Sequence, residues 1–350
     1  MSLRVKLSIP VAPRDGYGSD GIGLAQAFLR QGIDVYLDPA YVQPPLPQDV
    51  AALLTKDFNP PYDIHIKHVN PVALKLTEQE KQESYKSLAW SMWEQSSFSE
   101  DRAPKVKDAL EDYLKVLAYD DISKEAFEST GTTTPVSILQ GGYDPRPWAP
   151  TEHRPLAQRD WHSEEFVFVM AGSITPRKDP YVALKALSKL YDEGYKVKFY
   201  IKTLIPGSVP HLLTKSYPFL RIVEGAWTQE QMRTLYESAH CYLGPSWGEG
   251  KNLPALEAGT TGTALILSDC GGHRGWARPE IATLVGGQTV TYDGETSLRV
   301  DVDLLADACR DLIENRNKAR QMGEMASQIL PYTMSWDRVA EDLLLIHARG

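Results

Sequence analysis

Residues 166–202 read FVFVMAGSITPRKDPYVALKALSKLYDEGYKVKFYIK. FVFVMAG (166–172) is an unbroken apolar run of strand length. DPYVALKALSKLYDEG spaces its apolar residues as an amphipathic helix does, and Gly194 stops it. KVKFYIK (196–202) is a second strand. Strand, loop, helix and strand in that order form a β-α-β unit, which closes as a parallel pair. The same alternation runs outward in both directions. Towards the N-terminus stand LRVKLSI (3–9), the helix-like LAQAFLRQG, IDVYL, PYDIHIKHV (61–69), SLAWSMW (87–93), KVLAYDD (115–121), the helix KEAFEST and PVSIL (135–139). Towards the C-terminus stand LRIVEG (220–225), the helix TQEQMRTLYESAH, CYLGPS, a helix after 252, ALILSD (264–269), and a long helix from about 303 to 329. SWDRVAEDLLLIHA (335–348) closes the series, with Ser335 as its cap. Thr228 opens its helix with Gln231 three residues on, a capping box.

Between the two series, GGYDPRPWAPTEHRPLAQRDWHS (141–163) is rich in Pro, Arg and Trp and reads as a linker. The expected fold class is therefore α/β, with two doubly wound, Rossmann-like domains at 1–150 and 151–332. Ligands in such folds bind at the carboxyl ends of the strands, here in a cleft between the domains.

At 350 residues, two cores are the default. The net charge of −9 argues against bulk-charge binding to nucleic acid or anionic membrane. No apolar run approaches a membrane span, and the N-terminus reads as a first strand rather than a signal peptide. Cys241, Cys270 and Cys309 are odd in number and far apart, with no CxxC or Cys/His cluster. Neither a disulfide framework nor a structural zinc site is expected, and a reducing, cytoplasmic setting fits.

Three stretches carry chemistry. Gly16-x-Gly18-x-x-Gly21 follows a strand and precedes a helix, with Asp34 or Asp38 near the acidic position of a dinucleotide fingerprint. The long PVAPRD before Gly16 loosens the tight turn an NAD site needs. A glycine loop that lets a sugar or phosphate approach its backbone is the stronger expectation. GSITPRKDP (172–180) puts Arg177 and Lys178 at a strand's carboxyl end beside a helix start, a diphosphate site. In GPSWGEGKNLPALEAG (244–259), Asn252 reads as an N-cap and Pro254 suits the first turn. The N–H groups beside Gly250 and Lys251 then form an anion site. Glu249 and Glu257 flank it. Ionised carboxylates only accept hydrogen bonds, so they suit ligand hydroxyls. An anion site between two hydroxyl acceptors describes a nucleotide sugar.

The pattern Glu249-x7-Glu257 resembles the E-x7-E signature of family 4 retaining glycosyltransferases of the GT-B fold. GSITPRKDP resembles that family's phosphate-binding strand-loop, with Lys178 at the family's lysine and Ser173 where an arginine is usual, so that Arg177 takes its role. Gln140-Gly141-Gly142-Tyr143-Asp144 stands where HGVD is common. The last helix looks like the family's C-terminal helix, which crosses back onto the first domain at 333–350. The resemblance implies that Glu249 and the N–H groups of Gly250, Lys251, Asn252 and Leu253 contact the donor hexose and diphosphate, and that Glu257 holds the ribose. It implies that Arg177 and Lys178 neutralise the leaving UDP or GDP, and that the loop with Gly16 and Gly18 closes over the phosphates. The first domain would bind the acceptor.

Charge development on a leaving diphosphate needs positive charge there, which Arg177, Lys178 and the helix dipole supply, so no metal or other cofactor is expected. Glu94 lies where relatives often carry a sugar-contacting histidine, and it joins Glu249, Lys178 and Arg177 as a catalytic candidate. Lys202 and His273 sit at other strand ends and complete the donor set. Trp227 is placed near the nucleobase. Of Trp90 and Trp93 one faces the cleft unless both pack in the core, and His65 and His68 lie near a strand end. The acceptor is left open: a glycan, small molecule, protein or modified DNA base. For DNA, RDWH, PRPW and HRGWAR are the local basic stretches. Alternatives are an epimerase or phosphorylase of the same fold, an NAD(P)-dependent oxidoreductase, and a glycosidase, whose paired carboxyls would stand about 5–10 Å apart.

Overall fold

A computed structural model describes residues 3–13, 16–57, 60–84, 86–157, 159–211, 213–292 and 295–349. The chain divides into two compact units. Unit 1 comprises Met1–Asp144, Thr291–Thr296 and Met334–Gly350; unit 2 comprises Pro145–Val290 and Ser297–Thr333.

Unit 1 holds strands β1 (Arg4–Ser8), β2 (Asp34–Leu37), β3 (Ile64–Lys67), β4 (Ser87–Ser91), β5 (Lys115–Ala118) and β6 (Val136–Ile138). They form one sheet in the order β2-β1-β3-β4-β5-β6, and the neighbouring strands pair in parallel. Its helices are α1 (Gly16–Arg30), α2 (Gln48–Leu53), α3 (Glu78–Glu83), α4 (Ala103–Leu110) and α5 (Asp121–Ser129). The sheet's core includes Val5, Leu7, Ile64, Ile66, Leu88 and Leu117, with Leu24 and Phe28 of α1 packed on it.

Unit 2 holds β7 (Phe166–Gly172), α6 (Pro180–Asp192), β8 (Val197–Thr203), α7 (Leu213–Ser216), β9 (Leu220–Glu224), α8 (Gln229–Ser238), β10 (Cys241–Gly244), α9 (Leu253–Thr260), β11 (Ala264–Ser268), α10 (Gly271–Trp276) and β12 (Thr283–Val285). The second parallel sheet runs β12-β11-β10-β7-β8-β9. β7 is apolar because it lies mid-sheet, covered on both faces. In α6, Val182, Ala183, Ala186, Leu187 and Leu190 form the buried stripe. Thr228 and Gln231 form the expected capping box on α8. A two-stranded ribbon of β13 (Gly287–Tyr292) and β14 (Glu295–Val300) follows. Where one long helix was expected from 303 to 329, two stand: α11 (Val302–Glu314) and α12 (Arg316–Thr333). Asn315, at φ −107° and ψ 64°, leaves helical geometry and separates them. The last helix is α13 (Trp336–Arg349), and Ser335 Oγ accepts from Arg338 N at 3.3 Å as its cap.

The stretch Gly16–Gly23 is a correction. It was expected as a loop, yet α1 begins at Gly16. Its glycines are contact points. A Cβ on Gly18 would lie 2.4 Å from Ala12, one on Gly21 2.0 Å from Pro10 O, and one on Gly23 2.0 Å from Trp336 Nε1. Only hydrogen fits there, so the helix pays its glycine penalty for close approach to the β1 end and to α13.

Candidate functional site

In unit 2 the strand order reverses between β7 and β10, which lie side by side. Loops leaving neighbouring strands diverge at such a reversal and open a crevice at the carboxyl ends. The loop after β7 carries Ser173, Arg177 and Lys178; the loop after β10 carries Glu249 to Leu253.

These loops meet at Glu249, which is 4% exposed. Lys178 Nζ donates to Glu249 Oε1 at 2.5 Å, as does Ser246 Oγ at 2.5 Å. Arg177 Nη1 stands 3.6 Å from Glu249 Oε2 and donates to the Gly248 carbonyl. Burial pushes the Glu249 carboxyl up, but Lys178 and Arg177 outweigh it and hold the group at about 2. Glu249 is thus an ionised, buried acceptor. The two cations, expected to face a ligand phosphate alone, are shared with this carboxylate, and the cluster carries one net positive charge. Ser173 is exposed just beyond β7.

Among the described residues, two non-glycine residues have positive φ, Asp179 (42°) and Asn252 (59°), and both belong to these loops. Such residues cost of order 1–3 kcal/mol and persist where surroundings fix them. Asp179 is fixed three ways: Oδ1 accepts from Val182 N at 3.1 Å, and Oδ2 accepts from Trp247 Nε1 at 2.7 Å and Arg299 Nε at 3.2 Å. Trp247 N also donates to Arg177 O at 2.9 Å, which binds the β7 loop to the β10 loop.

Asn252 corrects an expectation. It occupies the N-cap position of α9 without a side-chain cap. Its amide Nδ2 instead lies 3.0 Å from His273 Nε2, and its Oδ1 accepts from Tyr242 Oη at 3.3 Å. His273 Nδ1 faces the Ser268 carbonyl at 2.9 Å, so Nδ1 carries the hydrogen and Nε2 accepts from Asn252. Burial pushes His273 down to about 4, keeping it neutral. His273 is fully buried with both nitrogens engaged, so it holds Asn252 rather than offering a nitrogen to a donor. The anion site at α9 is narrower than expected. Ala255 N and Leu256 N turn back to Asn252 O, at 2.9 and 3.2 Å, and Pro254 has no N–H. The N–H groups of Gly250, Asn252 and Leu253 are what the turn has to offer. Lys251 is buried, and its carbonyl accepts from Trp276 Nε1 at 3.0 Å. Gly271 and Gly272 press on the Glu249 turn: Gly272 N donates to Glu249 O at 2.7 Å, and a Cβ on Gly272 would lie 1.7 Å from Gly250 O.

Glu257, on α9, is half-buried and accepts from Tyr236 Oη at 3.0 Å. Burial pushes its carboxyl up to about 8, and the Tyr236 hydrogen bond only partly opposes this. The expected ionised acceptor is therefore largely protonated at neutral pH before a ligand arrives.

Lys202 is not part of the Arg177–Lys178 cluster. At the end of β8 its Nζ donates to the Gly225 carbonyl and to Thr203 O at 3.2 Å, and stands 5.4 Å from the Trp227 ring centroid. Burial lowers its pKa.

In unit 1, Gly16 and Gly18 lie in the first turn of α1, and Gly18 is buried on Ala12. Glu94 is half-buried beyond β4. Trp90 is wholly buried, with its Nε1 donating to Leu139 O at 2.9 Å; Trp93 is half-buried and stacks on Phe98 at 4.7 Å. His65 is buried, 2.8 Å from Ser8 Oγ, and burial pushes it down to about 4, which suits packing rather than base catalysis.

Sequence reasoning missed Ser246, Asp179, Trp247, Arg299 and Tyr236. Asp179 was legible in part: a carboxylate directly before Pro180 at a helix start is an N-cap signal. Arg299 lies 120 residues from its partner and had no local signal. Among the described residues, no group of three or more His, Cys, Asp or Glu is placed to hold a metal ion.

Known proteins resemble this chain in sequence and in fold. A mannosyltransferase of Mycolicibacterium hassiacum, MMP alpha-(1->4)-mannosyltransferase, is 29% identical over 126 residues, 35% of this chain and 28% of that protein. D-inositol 3-phosphate glycosyltransferase of Streptomyces coelicolor is 28% identical over 188 residues, 49% of this chain and 38% of that protein. The chain thus spans well under half the length of these curated relatives. Sucrose-phosphate synthase of Thermosynechococcus elongatus superposes with a TM-score of 0.72 at 15% identity, covering 100% of this chain and 99% of that one. HepE of Anabaena, in complex with UDP and glucose, superposes at 0.67 with 12% identity over 100% of both chains. The lipopolysaccharide glycosyltransferase WaaG does so at 0.65 with 14% identity, over 99% of this chain and 100% of that one. The fold is GT-B. The pattern of the family described as Glycosyl transferases group 1 matches residues 155–329, half the chain and nearly all of unit 2, including both loops of the switch point. With that match, the chain belongs to the glycosyl transferases group 1 family.

Proposed function

We propose that the protein is a retaining glycosyltransferase that moves a hexose-type sugar from a UDP- or GDP-sugar to a hydroxyl acceptor without a metal. One observation carries this reading: the Arg177–Lys178–Glu249 cluster at the switch point of unit 2. It sets two cations and one ionised carboxylate side by side. A diphosphate takes the cations, and a sugar hydroxyl donates to the carboxylate. Glu257 holds the ribose, and Leu253 N–H and the turn from Gly250 add backbone donors. Unit 1, with Glu94, receives the acceptor.

In the reaction the bond from the anomeric carbon to the diphosphate oxygen breaks, and a bond to the acceptor oxygen forms on the same face. The acceptor's proton passes to the departing diphosphate. Charge grows on that diphosphate, and fixed cations lower the barrier most where charge grows. The three buried free cysteines fit a reducing cytoplasm, and no described helix is long and apolar enough to cross a membrane.

The test is incubation with UDP-glucose, UDP-galactose, GDP-mannose and ADP-glucose, with and without a panel of sugars and polyols. Release of nucleoside diphosphate and the anomeric configuration of the product are read. Acceptor-dependent release with an α product from an α donor is expected. A β product overturns retention. A changed sugar without acceptor indicates an epimerase, and phosphate-dependent turnover a phosphorylase.

A further inference from the structure

Unit 1 has its own switch point, between β1 and β3. The elements leaving those strands are the start of α1 and His68, and they meet in a buried cluster. Asp20, His68, Trp90 and Tyr119 are each fully buried. His68 Nδ1 lies 2.6 Å from the Trp90 carbonyl, so that nitrogen carries a hydrogen. His68 Nε2 lies 3.2 Å from Asp20 Oδ2 and 3.1 Å from Tyr119 Oη, and Tyr119 Oη donates to the same Asp20 oxygen. Trp90 packs on the imidazole at 4.5 Å, Tyr119 lies beside both rings at 5.6 and 5.2 Å, and Tyr17 lies against the imidazole at 4.8 Å. Tyr17 and Asp20 stand three residues apart on α1 and so share a face. Tyr17 is half-buried, and its Oη reaches the Met92 carbonyl at 3.4 Å, two residues before Glu94.

A histidine, a carboxylate and a tyrosine cost too much to bury for packing alone. A hydrophobic trio would fix α1 to the sheet as well, but would not fix the rotation of its first turn. We propose that the Asp20–His68 pair is a positioning pair. It holds Tyr17 and the glycine-rich first turn of α1 at one orientation beside the Met92–Glu94 segment, so that Tyr17 meets the acceptor. Its effect on turnover rests on the transferase reading above; its effect on α1 does not.

Two histidine variants separate the two ring nitrogens. His68→Asn can keep a donor to the Trp90 carbonyl and loses the Asp20 edge; His68→Gln can reach Asp20. Hydrogen–deuterium exchange at residues 17–20 is read first, in the whole chain. His68→Asn is expected to raise exchange there at least tenfold, and His68→Gln to leave it within threefold. UDP affinity by calorimetry stays unchanged in both. Turnover of the best donor and acceptor falls on the order of tenfold to hundredfold in His68→Asn and Tyr17→Ala, the size of a misplaced contact, and is largely kept in His68→Gln. Equal exchange in wild type and His68→Asn overturns the proposal, as does equal exchange in the two variants. Wild-type protein that turns over no nucleotide sugar overturns the transferase reading instead, and the exchange data still decide the positioning pair. Should His68→Asn fail to fold, Asp20→Ala, which removes the carboxylate edge outright, carries the same expectation.

Discussion

Lys178→Met isolates the cluster at the switch point of unit 2. Lys178 Nζ bonds Glu249 Oε1 at 2.5 Å, while Arg177 stands 3.6 Å from Oε2. Burial alone would push the Glu249 carboxyl up; the two cations reverse this and set it at about 2, against a starting 4.5. At ~1.4 kcal/mol per pH unit, the fall corresponds to about 3 kcal/mol. The folded value lies below the unfolded one, so this stability is fully present above pH 4.5. It is lost as pH falls from there towards 2. Methionine keeps the stem's packing and removes the larger of the two cationic contributions. A buried carboxylate then depends on Arg177 alone. The expected cost at pH 7 is ~3 kcal/mol, the low end of what breaking one side of a buried pair costs. Urea unfolding of wild type, Lys178→Met, Glu249→Gln and the double variant, at pH 7 and pH 4, measures it. The cost should shrink at pH 4, where the mutant's Glu249 takes up a proton. The double variant should be more stable than the summed single losses. Equal stability of wild type and Lys178→Met at pH 7, or strict additivity in the double, refutes the reasoning.

Glu257→Gln tests the opposite case. Its folded value, about 8, lies above the unfolded one, so wild-type stability should decline as pH rises from 4.5 through 8. The variant should flatten that decline by ~1–2 kcal/mol, less than the full shift because part of the side chain is solvated. Thermal melts from pH 5 to pH 9 read it, and parallel profiles count against it. Gly272→Ala drives a Cβ into Gly250 O, 1.7 Å away. It should displace the Glu249 turn and weaken UDP binding at least tenfold while circular dichroism stays near wild type. Gly23→Ala places a Cβ 2.0 Å from Trp336 Nε1. It should lower the melting temperature and loosen α13 in hydrogen exchange without changing UDP affinity.

The alternation of strands and helices was legible because central parallel strands are apolar throughout, as in FVFVMAG, and their helices carry a 3.6-residue stripe. The Thr228–Gln231 capping box was legible because it is local. Gly16–Gly23 misled for a physical reason. Glycine marks both loops and close helix contacts, and only Ala12, Pro10 and Trp336 decide which. The ribbon at 287–300 was missed although Asp293-Gly294 between alternating residues is a hairpin signal. At the site, Glu249, Arg177 and Lys178 were named from sequence, but their mutual pairing was not, because it joins residues 71 apart. Asn252 was read as a cap because its type favours one; the partner that turns it, His273, comes from the next strand's loop.

Calorimetry of the wild-type chain and of Lys178→Ala with UDP and with GDP decides whether the Arg177–Lys178–Glu249 cluster holds a nucleoside diphosphate. Wild type is expected to bind at least one of the two, and Lys178→Ala to bind it at least tenfold more weakly. Binding of neither nucleotide by the folded wild type, or equal affinity in the variant, contradicts that role of the cluster.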